Sequence, residues 1–308
     1  MSDRVRVDEV LTSLLNLCTP LEPFDMPLLD AHGATLAEDV YAGERLVMKS
    51  GSRIRSTQIG LAASIGLDHL PTRPHPRVVV ISAGPDLVEP GVELVGDEEY
   101  ETNSWLLTTA VRETGAVAYR VHSIPENEDQ LKDAIEDQLV RADLIIISGE
   151  RHDDSFDLIT RTLQKLGEVT AVEIAIDSSG RHNFGTIGPD KTPVVTLPGD
   201  PIAAYISFEL LIRPMIRTML GAATIHRPSI KAKLEKAITS SGGYRSYIRA
   251  VLAEDGKSVM PLLSQGSSAQ DEQATLSDAN AFIAVPEGDV DIAAGSDVTV
   301  VVLERRYI

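Results

Sequence analysis

The sequence predicts an α/β fold: a central parallel sheet, flanked by an N-terminal helical and extended segment and a C-terminal all-β domain. Three observations carry that expectation. Short β-branched runs alternate with helical periodicities through the middle of the chain, the pattern of strands joined by crossover helices. After about residue 226 the pattern changes to short strands separated by turns. The first 75 residues follow neither pattern, which gives three regions at 1–75, 76–222 and 223–308.

In the first region, Val7, Val10, Leu11, Leu14 and Leu15 recur at helical spacing. A Pro-rich stretch to Pro27 and the segment Leu28–Tyr41 precede a short basic linker to Arg55. A second helix is expected from Ser56 as N-cap to Gly66 as its stop. In the middle region, Arg77–Ser82, Val117–His122, Asp143–Ser148 and Pro193–Leu197 read as strands. Helical patterns lie at Asn103–Glu113, Glu128–Arg141, Phe156–Leu166 and Pro201–Leu220, with Asn127 and Gln130 forming a capping box. In the last region, Ile230–Ile238, Tyr247–Ala253, Ser258–Leu263, Asn280–Val285 and Asp297–Leu303 read as strands of a small barrel or sandwich.

Composition narrows the function. The 308 residues carry 28 basic and 46 acidic side chains, a net charge of −18. That balance excludes nucleic acid as an expected partner, because phosphates need basic contacts. It reads either as plain solubility or as a preference for basic partners. No apolar run approaches the about 20 residues of a membrane span, so no membrane insertion is expected. Asp3, Asp8 and Glu9 break any signal-like start, and Cys18 is the single cysteine. A cytoplasmic location without disulfides is the expectation.

The chemistry is expected at the carboxyl ends of the parallel strands. Leu197-Pro198-Gly199-Asp200-Pro201 is a strand–turn–helix junction, with Pro201 where the first helical turn needs no N–H. Such a junction turns free amides and the positive helix end toward an anion. Three other turns face the same edge: Ala83-Gly84-Pro85-Asp86-Leu87, Tyr100-Glu101-Thr102-Asn103-Ser104, and the loop from Gly149 to Asp157. Thr102, Asn103 and Ser104 read equally as helix caps and as binding residues.

The order of these turns resembles the molybdopterin molybdenumtransferase family (MoeA), which includes the gephyrin E domain. Family members show a Ser-Thr-Gly-Asp-Glu-Leu turn, a Tyr-Asp-Thr-Asn helix start, a Gly-Gly-Val-Ser-x-Gly-x-x-Asp loop, a Lys-Pro-Gly-Lys-Pro segment and a Leu-Pro-Gly-Asn-Pro turn. Pro27–Val40, Ile54–Gly66 and Leu276–Pro286 also match. The resemblance implies a MogA-like molybdopterin-binding central domain and a pocket of Gly84, Thr102, Asn103, Ser104, Gly149, Pro198, Gly199, Asp200 and Pro201. It implies a homodimer, and a reaction that loads molybdate into adenylylated molybdopterin with Mg2+.

The chain departs from that pattern at several positions. Pro85-Asp86 stands for the Asp-Glu pair, and Glu150 stands for a loop glycine. Asp157 keeps the family aspartate, so Asp86 and Asp157 remain as vestigial catalytic and weak metal candidates. Neither family lysine survives in Ile176-Asp177-Ser178-Ser179-Gly180-Arg181, and Asp177 inverts one charge, with Arg181 and His182 as possible substitutes. The β-rich module that roofs the partner subunit's site in the family dimer is missing near 41–50. These departures point to a non-catalytic dimeric scaffold without cofactor. It would bind a linear segment of a cytoskeletal, cell-division or membrane-receptor protein near helix 7–18 and the C-terminal domain. The alternative is an active molybdenumtransferase using molybdopterin, molybdate and Mg2+.

Overall fold

The computed structural model describes residues 4–84, 86–96, 98–123, 127–149, 153–177, 180–263 and 268–304. Its centre is a six-stranded sheet. Val117–Ser123, Arg77–Ala83, Leu144–Ser148 and Thr192–Leu197 lie side by side in that order, all parallel. Val78 to Ile81 and Leu144 to Ile147 are all fully buried. Strands this apolar need cover on both faces, which crossover helices supply. One face packs Val80, Ile146 and Val195 against helix Asn103–Thr114 and the helical rod from Pro201 to Met219. The opposite face packs Val79, Ile81, Ile145 and Ile147 against helices Glu128–Leu139 and Asp153–Leu166.

Two features of this domain differ from expectation. Gly167–Glu173 and Arg181–Ile187 form an antiparallel hairpin that extends the sheet beyond Thr192–Leu197. The first of these strands is largely exposed and the second carries polar residues, so neither has the apolar run that marks the inner strands. The expected helix Pro201–Leu220 contains a π-helical turn at Phe208–Ile212. Pro214 has no N–H for the carbonyl of Leu210, and the wider turn absorbs that misfit.

The N-terminal region does not hold together as one unit. Helix Val7–Leu15 buries Val7, Val10 and Leu14 in the first face of the central domain. Residues 24–73 have their own small core of Leu36, Met48, Ile54, Ala62 and Leu70. It lies beneath the three-stranded sheet Phe24–Pro27, His69–Arg73 and Thr35–Leu36 and beside helix Ser56–Ser64. Where the resemblance leads one to expect an inserted module, strands Val40–Ala42 and Arg45–Met48 form a tight hairpin. Gly43 closes it at φ +62, a conformation that side chains disfavour.

The C-terminal region is a closed barrel of Ser229–Leu234, Ser258–Pro261, Ser246–Leu252, Ala281–Val285 and Asp297–Val302. Helix Ala269–Asp278, which the sequence pattern did not suggest, begins at Ser268, whose hydroxyl accepts from the amide of Asp271 at 3.1 Å. A buried ion pair joins barrel to central domain. Arg227 donates to both oxygens of Glu209 at 2.7 and 2.8 Å, and to the carbonyl of Leu303 at 2.7 Å. Removing Arg227 strips the buried Glu209 carboxylate of two charged hydrogen bonds and leaves it to the more distant Arg213, at 3.8 Å. Arg227→Ala is therefore expected to cost about 2–3 kcal/mol in urea unfolding. A loss under about 1 kcal/mol would show that the pair is solvated and does not fasten the two domains.

Candidate functional site

The parallel register lines up one residue from each strand at the carboxyl edge of the sheet. Ser82 stands beside His122 on one side and Ser148 on the other, and Ser148 pairs with Leu197. Below this row the two middle strands are apolar on the same face, at Val80 and Ile146, whereas Arg120 stands below His122 on the outer strand. The first helix after the edge starts directly above it. Asn103 donates from Nδ2 to Ser148 Oγ at 2.7 Å and to the Gly199 carbonyl at 2.8 Å. Ser148 in turn donates to the Pro198 carbonyl at 3.3 Å. One buried side-chain amide thus fastens three of the four expected turns into a single crevice.

The helix start is capped, though not by the residues expected for it. Thr102 donates to the Tyr100 carbonyl and makes no side-chain cap. Instead Glu101, 1% exposed, accepts from the Ser104 amide at 2.7 Å and from the Ser104 hydroxyl. Arg120 donates to Ser104 Oγ, to Glu101 at 3.1 Å and to Glu89 at 2.6 Å. Its guanidinium lies 4.3 Å over the ring of Trp105. Partial desolvation pushes the Glu89 carboxyl upward, but Arg120 and His122 outweigh it and hold the group below its ordinary range.

Glu101, Arg120, Glu89, Ser82 and Ser148 were not singled out from the sequence. The available signal was Arg120 and His122 two apart at the end of a strand, which puts both on one face.

The second helix start is likewise filled by the chain. Asp200 Oδ1 accepts from the amides of Ile202 and Ala203 at 3.1 and 3.0 Å. The extra negative charge expected at this turn is therefore spent on its own helix. Pro201 is buried in the first turn, as its ring geometry favours. Gly84 is buried and Gly149 half-buried beside the same edge. A Cβ at Gly149 would stand 2.9 Å from Ile159 Cδ1 and 3.1 Å from Ser155 Oγ, so a side chain here would displace both neighbours.

Other expected site residues lie elsewhere. Asp86 is exposed, and its carbonyl accepts from the Glu99 amide. Asp157 is paired with Arg181 at 3.2 Å, and Arg181 covers the ring of Phe156. Asp177, expected to repel ligand from the pocket, faces the barrel and accepts from Ser246 Oγ at 3.1 Å. A backbone bridge between Ile176 and Arg245 holds that segment there. Pro85, Glu150, Arg151, His152, Ser178 and Ser179 lie outside the described residues. Among the described residues no group of three or more His, Cys, Asp or Glu side chains is disposed to hold a metal.

The junction expected to offer a peptide groove is bridged by the chain itself. Asp8 of helix Val7–Leu15 pairs with Arg245 of the barrel at 2.9 Å, and Arg245 also meets Glu287 at 3.3 Å. Cys18 is buried, and burial pushes its thiol up to about 12, so it is inert. Among the described residues no helix is long and apolar enough to cross a membrane.

Comparison with known proteins gives two family matches. Residues 80–218 match a probable molybdopterin binding domain, and residues 231–303 match the MoeA C-terminal region (domain IV). Molybdopterin molybdenumtransferase 2 of Mycobacterium tuberculosis is 34% identical over 269 residues, covering 85% of this chain. The chain spans 65% of that relative's length. The Haemophilus influenzae molybdopterin molybdenumtransferase is 25% identical over 281 residues, covering 90% of this chain and 68% of the relative. Among solved structures, a molybdopterin biosynthesis MoeA protein from Pyrococcus horikoshii superposes with a TM-score of 0.82 at 21% identity. That match covers 98% of this chain and 100% of the other, and it fixes the fold.

Beside the crevice, His182 is 1% exposed, with Nε2 3.1 Å from Ser207 Oγ. Burial pulls its pKa down from 6.5 to about 4. The unfolded chain then binds a proton that the folded chain refuses, so stability is full above about pH 6.5 and falls as pH drops toward 4. The loss over that window is expected to reach about 3 kcal/mol, and His182→Gln to remove much of the pH dependence. Thermal or urea midpoints measured from pH 7 to 4 check this. An equal slope in wild type and variant would show that His182 is not the responsible group.

Proposed function

We propose, from the premise that this chain is a divergent member of the MoeA family, that it binds molybdopterin at the carboxyl edge of its central sheet and serves in molybdenum cofactor biosynthesis. The observation that carries this reading is the Asn103 clamp, which draws Ser148 and the Pro198-Gly199 turn together beneath a helix start. A crevice closed by a buried side-chain amide is pre-organised, and pre-organised polar groups bind without a further ordering cost. The relatives named molybdopterin molybdenumtransferases support the same reading.

Molybdopterin and molybdate are substrates in such a reaction, and Ser148, Asn103 and the backbone of Pro198 and Gly199 are the groups that would hold the pterin. The donor set does not fit a resident Mg2+. Asp157 is engaged by Arg181, and among the described residues Asp86 belongs to no group of three or more His, Cys, Asp or Glu side chains that could hold a metal. The scaffold reading has weaker support: it rests on departures from the family pattern, and its expected groove is crossed by the Asp8–Arg245 pair.

Calorimetric titration with molybdopterin, and separately with its adenylylated form, tests the proposal. Wild-type protein is expected to bind molybdopterin with a Kd on the order of micromolar. Asn103→Ala is expected to weaken binding about tenfold or more, since it loosens the clamp and strips the crevice of its amide. Absence of heat with either ligand, at protein concentrations well above micromolar, would overturn the reading. Mg2+-dependent release of nucleotide from the adenylylated form would show that the protein also carries out a metal-dependent hydrolytic step.

A further inference from the structure

In a chain with 46 acidic and 28 basic side chains, most half-buried arginines hold a carboxylate: Arg120, Arg227, Arg245 and Arg249 all do. Three arginines grouped at the far end of the central sheet have none among the described residues. Arg53 and Arg73 stand on either side of Thr35 in antiparallel register. Residues directly opposed in this way leave the sheet on one face, here two strand spacings or about 10 Å apart. Arg217, on helix Arg213–Met219, is the third. Burial and the charge of Arg53 hold Arg217 below the ordinary arginine range, and no carboxylate is close enough to offset them.

Two close approaches of backbone bring these elements together. A Cβ on Gly51 would stand 2.9 Å from the nitrogen of Ala223, whose N–H donates to the Gly51 carbonyl at 3.0 Å. A Cβ on Gly221 would stand 2.5 Å from Arg73 Nε. Arg73 donates to the Leu21 carbonyl, and Arg217 Nε to the Thr224 carbonyl at 3.2 Å. Those bonds fix two of the guanidiniums and leave further donors on each. Arg53 is exposed and Arg73 and Arg217 are half-buried, so the group is open to solvent. It lies at the amino edge of the sheet: Arg73 shortly precedes strand Arg77–Ala83, and Leu220 packs on Gly115, just ahead of strand Val117–Ser123. The crevice is at the opposite edge.

We infer that Arg53, Arg73 and Arg217 form a binding site for a phosphate-type dianion, either a free oxyanion or the end group of a phosphomonoester. Three like charges held together cost repulsion and desolvation, which an anion among them removes. One guanidinium fork already saturates a planar carboxylate, whereas donors from three separate elements suit a tetrahedral dianion. The site is independent of the pterin reading, which stands or falls on the other edge.

Calorimetry and thermal unfolding at ionic strength held constant with sodium chloride test the site, with inorganic phosphate and phenyl phosphate as probes. Wild-type protein is expected to bind phosphate with a Kd on the order of 1 mM, and to gain a few degrees in Tm at about ten times that concentration. Arg53→Gln, at an exposed position, is expected to fold normally, to keep or raise its Tm in chloride alone, and to weaken phosphate about tenfold. Arg217→Gln is expected to weaken phosphate similarly, and Lys231→Gln on the barrel to leave it unchanged. Phenyl phosphate binding tighter than phosphate supports the site and assigns it to an ester; equal or weaker binding supports it and assigns it to the free oxyanion. No heat and no Tm gain in wild-type protein at about 20 mM phosphate, or an unchanged phosphate affinity in Arg53→Gln, would overturn the inference.

Discussion

The side-chain amide of Asn103 is the contact on which the crevice depends. Three turns end at the carboxyl edge of the sheet, and nothing in their own backbone conformations requires them to meet. The amide reaches Ser148 on one strand and Gly199 after another, and its helix carries Glu101 and Ser104 into the same layer. Below it the two middle strands are apolar on both faces, at Val78–Ile81 and Leu144–Ile147. All chemistry is therefore pushed to the edge, where Ser82, Ser148 and His122 form a polar row.

Electrostatics then decide what such an edge accepts. Two of the helix starts beside it, at Asn103 and Pro201, are already complemented by a carboxylate from their own chain. The arrangement stabilises the helices and lowers the appeal of the site to anions. Among the described residues, the cation Arg120 at this edge is shared among Glu89, Glu101 and the face of Trp105. What remains open to a ligand is hydrogen-bonding capacity, not charge. That distinguishes this chain from the lysine-rich pattern its sequence resembles, and the difference does not come from Asp177, which is turned away to the barrel.

Much of this was legible in the sequence. The Val78–Ile81 and Leu144–Ile147 runs announce buried parallel strands, and Asn103 stands at a recognisable helix start. The hairpin of Gly167–Glu173 and Arg181–Ile187 was not legible, because an edge pair with one wet face lacks an apolar run. Glu101 was missed because cap residues are sought among Thr102, Asn103 and Ser104, whereas the longer glutamate reaches the same amide from one position earlier. The unpartnered state of Ser82 has no sequence signature at all, since it arises only when the neighbouring strands and helix are in place.

Hydrogen–deuterium exchange in the presence and absence of molybdopterin tests the central claim most directly, because it locates the ligand without altering any residue. Binding at the carboxyl edge predicts slowed exchange in residues 82–84, 102–106 and 198–203, with the barrel strands from 229 to 302 unaffected. Protection confined to the barrel or to helix Val7–Leu15, with the three turns unchanged, would contradict the account.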